Sequence, residues 1–248
     1  MTSSNIPKEA VPPKFDRYSQ CVWDFFDGAK DGVFLDVGAN HPTELSLTGF
    51  LEQQGWFGVL VEPNPELARL LNAQRPHSRT FQVAAGSPNM PDTMDLFLGV
   101  SHLHSTLAPV MGDPLSGVKV QVKVRTLDSL LTEAGIQQID FMSIDVEGGE
   151  LDVLRGLNLD KFRPRLILIE DKHHNYKKYS YLRYHGYRRV KRTDLNDWYV
   201  PDESPVTIAR LNTLGERVRL FKKLWLNAPF DNAYKGLRKR VRTLFCGK

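Results

Sequence analysis

The sequence predicts an α/β fold, a mainly parallel sheet with helices on both faces. Short apolar runs alternate with segments of helical spacing. The order of these segments implies a mainly parallel sheet covered on both faces. The acidic and glycine-bearing turns fall directly after those runs, where open α/β sheets bind their ligands.

Val33–Val37 is the first strand. Glu44–Gln54 reads as a helix, because Leu47, Phe50 and Leu51 share one face and Gly55 suits the position after its end. Gly58–Glu62 is the second strand, and Asn64-Pro65 opens a helix running to about Gln74. Thr80–Ala84 is the third strand. Met94–Leu98 and Val118–Val124 bracket a loop, 99–117, long enough to act as a lid or substrate loop. Asp128 is expected to cap a helix that ends at Gly135. Ile139–Ile144 is a strand, and Gly149–Arg155 begins a helix. Leu166–Ile169 is the next core strand, followed by a tyrosine-rich helix ending at Gly186. Tyr187–Val190 and Trp198–Val200 form a closing antiparallel pair. There is no internal repeat.

The chain has 248 residues, 41% hydrophobic and 25% charged, as expected of a globular protein that needs no disulfide or metal to fold. Cys21 and Cys246 lie at opposite ends, which argues against a zinc ribbon or an iron–sulfur site. Of the net charge of +4, residues 208–248 hold 11 Lys/Arg and 2 Asp/Glu, so the remainder is acidic. A body of that sign does not fit a nucleic-acid-coating domain, and no nucleic-acid partner is expected. Neither a secretory apolar segment nor a run long enough to span a bilayer is present, so the expected location is cytoplasmic.

Three segments carry chemistry. Asp36-Val-Gly-Ala-Asn40 offers a carboxylate beside Gly38 but lacks the three glycines of a dinucleotide site, which suits a cofactor without a pyrophosphate and with a cationic or amino-acid end. The plain alternative is a turn closing a strand. Glu62-Pro63 ends the second strand, placing a carboxylate where it can accept from two ribose hydroxyls. Asp145-Val-Glu-Gly-Gly-Glu150 ends a core strand, and Glu170-Asp171 ends its expected neighbour. Strands about 5 Å apart bring Asp145 and Glu170 into one site, for general-base work or for a hard cation such as Mg²⁺ held by Asp145, Glu170 and Asp171. The acidity at Glu150, and in part at Glu147, is explained by the helix dipole.

Together these segments resemble the FkbM family of S-adenosylmethionine-dependent methyltransferases. The resemblance runs from about Gly32 to Val200. It rests on Asp36-Val-Gly-Ala-Asn40, Gly55-Trp56-x-Gly58, Val61-Glu62-Pro63-Asn64-Pro65, Ala84-Ala85-Gly86, Thr126-Leu127-Asp128-x-Leu130, Ile144-Asp145-Val146-Glu147-Gly148-x-Glu150, Val153-Leu154-x-Gly156 and Gly186-Tyr187. It implies a Rossmann-like class I methyltransferase with a mostly parallel seven-stranded sheet. It implies S-adenosyl-L-methionine as cofactor, with Asp36, Gly38 and Asn40 at its methionine end, Glu62 on its ribose, and Pro63 and Ala85 beside them. The chain carries His41-Pro42 where the family usually has a small residue. Three regions follow: an N-terminal segment 1–30, a methyltransferase domain 31–207 and a basic extension 208–248.

Methyl transfer to a hydroxyl needs a group to take the proton. Asp145 and His173 are the candidates, with His104, in the loop, as a positioning residue. Lys172–Arg192 holds eight Lys/Arg and five tyrosines and no Asp/Glu, fitting either a sugar-stacking surface that tolerates phosphate or a solvated helix face with tyrosines packed inward. Residues 208–248 show two basic amphipathic patterns, a peripheral membrane contact or a helix lying on the domain. The expected activity is O-methylation of a sugar hydroxyl on a surface polysaccharide or glycolipid. Alternatives are a polyketide-type small-molecule acceptor, or a non-catalytic membrane-peripheral binding protein.

Overall fold

A computed structural model describes residues 17–100, 105–107, 109, 115–172 and 176–206. The strands of the main sheet are β1 (Val33–Val37), β2 (Phe57–Val61), β3 (Ser78–Phe81), β7 (Phe141–Ile144), β8 (Leu166–Glu170), β9 (Tyr187–Thr193) and β10 (Asn196–Pro201). The helices are α1 (Arg17–Phe25), α2 (Gly49–Gln53), α3 (Pro65–Gln74), α4 (Leu127–Glu133), α5 (Glu150–Arg155), α6 (Leu159–Phe162) and α7 (Tyr176–Tyr184). A second, three-stranded sheet comprises β4 (Ala84–Ala85), β5 (Thr93–Gly99) and β6 (Leu115–Arg125).

The main sheet has the order β3-β2-β1-β7-β8-β10-β9. All neighbours are parallel except those of β10, which runs against β8 and β9. This is the seven-stranded, Rossmann-like α/β arrangement. The chain steps outward from β1 through β2 to β3, then returns to the other side of β1 as β7. Such a reversal opens a crevice at the carboxyl ends of β1 and β7.

Strand residues alternate between two cores, because side chains leave a strand with a period of two. Leu35, Val37, Val59, Val61, Met142 and Ile144 pack on one face with residues of α4 and α5. Phe34, Leu60, Phe141 and Trp198 pack on the other with Trp56 and Val22 of α1. Helix α1 therefore shares a core with the sheet, although its residues fall within the expected N-terminal segment. The ring of Tyr18 stacks on Trp198 at 6.3 Å, and its hydroxyl donates to Asp194 at 2.8 Å.

Several local expectations are corrected. The helix expected from Glu44 begins only at Gly49. His41 Nδ1 accepts from the backbone of Glu44 (3.0 Å), Ser46 Oγ accepts from Gly49 (3.1 Å), and Leu45 sits at φ +57°. The left-handed Leu45 interrupts the helical path, and Ser46 takes the Gly49 amide that a helix from Glu44 would have bonded to Leu45. The expected third strand divides, with Ser78–Phe81 in the main sheet and Ala84–Ala85 in the second. The hairpin β5–β6 also belongs to that second sheet. Thr126, not Asp128, caps α4, accepting from Ser129; Asp128 instead takes the amide of Asn158 at 2.7 Å. Among the described residues, no helix is long and apolar enough to cross a membrane.

Candidate functional site

A cavity of about 370 Å³ opens at the carboxyl ends of β1, β2 and β7. That volume lies in the range of small-molecule sites. Asp36, Gly38, Asn40, Glu62, Pro63 and Ala85, all six of the expected cofactor residues, line it, and so does Asp145.

Beyond β1 the chain stays close to β2, with Gly38 and Ala39 both donating to the Val61 carbonyl (2.9 and 3.2 Å). Gly38 has φ +80°, and a Cβ there would fall 1.8 Å from the Asp145 carbonyl oxygen. The glycine is thus required by the neighbouring strand end as well as by any ligand. Asn40 is also left-handed, at φ +53°, a conformation asparagine tolerates.

Glu62 is buried, and each of its carboxylate oxygens holds one backbone amide: Asn40 N–H at 2.9 Å and Asn64 N–H at 2.8 Å. Burial pushes its pKa up to about 7, against the pull of those two bonds. Asp36 is buried too. Its Oδ2 accepts from the Thr48 hydroxyl at 2.7 Å. Burial raises its pKa, while Thr48 and the charge of Arg75 oppose the shift. This use of Thr48 explains why α2 lacks a side-chain cap: its N-cap hydroxyl is directed at Asp36.

At the end of β7, Asp145 is open to the cavity. Ligand atoms of Asp145, Glu147 and Glu170 all lie within 4.8 Å of one another. Burial, then the charge of Glu147, raises the Asp145 pKa; burial, then the charge of Asp145, raises that of Glu170. The two carboxylates thus sit close enough for each to oppose ionisation of the other. Lys172 lies among them, with Nζ 2.5 Å from Glu147 and 3.1 Å from Glu170.

The expected Mg²⁺ set was Asp145, Glu170 and Asp171. The structure gathers Glu147 in place of Asp171, whose carboxylate faces Lys178 (3.4 Å) and Arg192 (3.9 Å). The Lys172 ammonium already supplies positive charge to the cluster. The Asp171 part of the expected set is thereby corrected, while Asp145 and Glu170 do come together, with Glu147 as third carboxylate and the Lys172 ammonium competing for the same oxygens.

Glu150 does more than answer the helix dipole. It is buried, its Oε1 accepts from Gly148 N–H at 2.7 Å, and its Oε2 meets Lys178 Nζ at 3.0 Å. It pins the turn that carries Asp145, in which Glu147 and Gly148 have φ +54° and +113°. Thr106 Oγ1 holds the same turn from the loop side, donating to the Glu147 carbonyl at 3.1 Å. Ser105, Thr106 and Leu107 line the cavity; His104 and His173 lie outside the described residues.

In the Lys172–Arg192 segment the tyrosines largely pack inward, as the plainer reading had it, but several of the cations are buried and not solvated. Lys178, Arg189 and Lys191 are buried, Arg192 pairs with Asp197 at 2.8 Å, and Tyr187 is fully buried. Tyr179 and Tyr181 pack on the core. Only Tyr176 and Tyr184 among the five tyrosines are exposed. The expected membrane contact, residues 208–248, lies outside the described residues.

Sequence reasoning missed Thr48, Arg75, Lys172 and the apolar wall of Met90, Met94 and Leu96. Met94 and Leu96 alternate along β5, but Met90 precedes the strand and no spacing joined the three. Arg75 carried no local signal, because all its partners are distant in sequence.

Comparison with known proteins places this geometry. A 77-residue stretch is 32% identical to the AMB antimetabolite synthetase AmbE of Pseudomonas aeruginosa, covering 30% of this chain and 4% of that protein. Among solved structures, the METTL16 MTase domain is 15% identical with a TM-score of 0.42, over 74% of this chain and 65% of that one. A Methanococcus jannaschii fibrillarin pre-rRNA processing protein is 13% identical with a TM-score of 0.44, over 71% and 68%. A protein of the NADB-Rossmann superfamily from Streptococcus agalactiae is 14% identical with a TM-score of 0.44, over 86% and 82%. These likenesses are partial or distant, and the assignment does not rest on them. The Methyltransferase FkbM domain matches residues 36–189, from the cavity aspartate of β1 into β9, and on that match over more than half its length the chain belongs to the FkbM methyltransferase family.

Proposed function

We propose that the chain is an S-adenosylmethionine-dependent O-methyltransferase acting on a sugar hydroxyl of a surface polysaccharide or glycolipid. The observation that carries this reading is one cavity that joins acids from three strand ends: Asp36, Glu62 and Asp145. When bound, S-adenosylmethionine would supply the methyl group.

The residues fit that cofactor. Asp36 offers an acceptor for an ammonium group. Glu62, with both oxygens already oriented by backbone amides, offers lone pairs to ribose hydroxyls. The apolar wall of Ala85, Met90, Met94 and Leu96 offers a face for the adenine. Asp145 is open to the cavity and takes the acceptor's proton, with Glu147 and Glu170 beside it raising its affinity for that proton. A raised carboxylate pKa suits this task near neutral pH.

The described lining residues include no Lys or Arg, which favours a neutral polyhydroxy acceptor over a phosphate or carboxylate. A second reading, a polyketide-type acceptor, is favoured by Leu45, which lines the cavity while 80% exposed. In either case the basic 208–248 segment would draw the enzyme to the cytoplasmic face of an anionic membrane.

The test is release of S-adenosylhomocysteine from S-adenosylmethionine with neutral oligosaccharides, uronic-acid oligosaccharides and polyphenols as acceptors. Neutral oligosaccharides are expected to be methylated on oxygen, with turnover reduced about 10²–10⁴-fold in Asp145→Asn. Methyl found on nitrogen or carbon, or undiminished turnover in the variant, would reject the reading.

A further inference from the structure

Asp36 is the end of a buried chain of polar side chains that begins on the far side of α2. Arg75, at the C-terminus of α3, is 4% exposed, and its Nε pairs with the Glu52 carboxylate. Glu52 also accepts from His77 N–H at 2.9 Å and from Ser78 Oγ at 2.6 Å. From the same guanidinium, Nη2 donates to Thr48 Oγ1 at 3.2 Å, and Thr48 Oγ1 donates to Asp36 Oδ2 at 2.7 Å. Nη1 reaches Ser46 Oγ at 3.2 Å and the Pro42 carbonyl at 3.4 Å.

The direction of this chain is set by chemistry. A guanidinium can only donate, so Thr48 must accept from Arg75. The single hydroxyl proton of Thr48 points to Asp36, whose Oδ2 accepts it. Arg75 thereby favours the ionised carboxylate at a buried position where desolvation works against it. It also holds the 42–48 segment, whose residues Glu44 to Leu47 form the cavity wall beside Asp36. Pro42 contributes its carbonyl to this arrangement, so the proline in the family's usual small-residue region keeps a hydrogen-bonding role.

We propose that Arg75 is a positioning residue for the amino-acid end of S-adenosylmethionine, acting through Thr48 to hold Asp36 as an oriented, ionised acceptor for the cofactor's ammonium group. The proposal rests on the cofactor reading above. Glu62, at the ribose end, is held by backbone amides and does not depend on Arg75. The two ends of the cofactor should therefore respond differently to loss of the chain.

The test uses the full-length protein and two ligands in calorimetry. S-Adenosylhomocysteine has the amino-acid end; 5′-methylthioadenosine keeps the adenosine and the thioether but lacks it. Thr48→Val cuts the chain while leaving the Arg75–Glu52 pair intact. It is expected to weaken S-adenosylhomocysteine tenfold or more and to leave 5′-methylthioadenosine within twofold. Arg75→Gln should weaken the same ligand selectively, and the loss in T48V/R75Q should be smaller than the sum of the two single losses, because both variants cut one relay. Arg75→Gln strands the Glu52 charge, so R75Q/E52Q supplies a charge-balanced partner if the single variant does not fold. Equal weakening of both ligands would mark a merely structural role and overturn the proposal, as would unchanged S-adenosylhomocysteine binding in Thr48→Val. Failure of the wild-type protein to bind S-adenosylhomocysteine would instead overturn the cofactor reading itself.

Discussion

The two halves of the main sheet bury charge in opposite ways. At the β8–β10 end, buried ions are matched. Asp197 lies between Arg189 at 2.6 Å and Arg192 at 2.8 Å, and Lys178 lies between Glu150 and Asp171. At the β1–β2 end, Asp36 and Glu62 are equally buried but are held by a hydroxyl and by backbone amides; among the described residues, no cation bonds to either directly. A buried carboxylate with no cation in direct contact is costly, and its pKa rises accordingly. The matched half serves the fold, whereas the unmatched half is poised for a ligand that brings its own cationic and hydroxyl groups. Asp145, Glu147, Glu170 and Lys172 stand between the two, a cluster only partly neutralised.

The largest effect that would break this comparison belongs to the matched half. Lys178→Met leaves Glu150 and Asp171 without their shared ammonium, and should destabilise by about 3–5 kcal/mol in urea unfolding. A loss below about 1 kcal/mol would show that the half is not held by its ion pairs.

The next is a pH dependence in the unmatched half. Glu62 has an ordinary pKa of 4.5 and a folded value of about 7. Between those values the folded state binds more protons than the unfolded one, so stability falls as pH rises through that window. The cost is absent below 4.5, complete above 7 and on the order of 3 kcal/mol from this group. The thermal midpoint of the ligand-free protein should drop between pH 5 and pH 8. S-Adenosylhomocysteine affinity should rise over the same interval, because ribose hydroxyls need the ionised carboxylate. Parallel trends in the two measurements would contradict the account.

The smallest expected effect is a control. Arg155 pairs with Asp152 at 3.2 Å at a site where both side chains are about half exposed. Arg155→Ala should change stability by no more than about 0.5 kcal/mol, because water and salt screen such pairs.

The sequence was most legible where one residue type has one meaning. Short apolar runs such as Leu166–Ile169 read as buried strands, and Asp36, Glu62 and Asp145 stand at or just past the ends of such runs, where the cavity lies. It was least legible where a side chain's role depends on partners far along the chain. Lys178 and Arg189 read like surface charges in a basic run until Glu150 and Asp197 are brought beside them. Arg75 joins Asp36, Thr48 and Glu52 through space, and no spacing rule announces it. The helix expected from Glu44 failed for a related reason: its apolar spacing was right, but Leu45 is left-handed and Ser46 takes the Gly49 amide it needed.

The central claim is that the unmatched carboxylates of β1 and β2 are the cofactor's contacts. Calorimetric titration of S-adenosylhomocysteine into the wild type, Asp36→Ala and Glu62→Ala tests it most directly. The account predicts saturable binding to the wild type at one site per chain and at least a tenfold loss in each variant, with both variants still folded by circular dichroism. No binding by the wild type, or undiminished binding by the two variants, would contradict it.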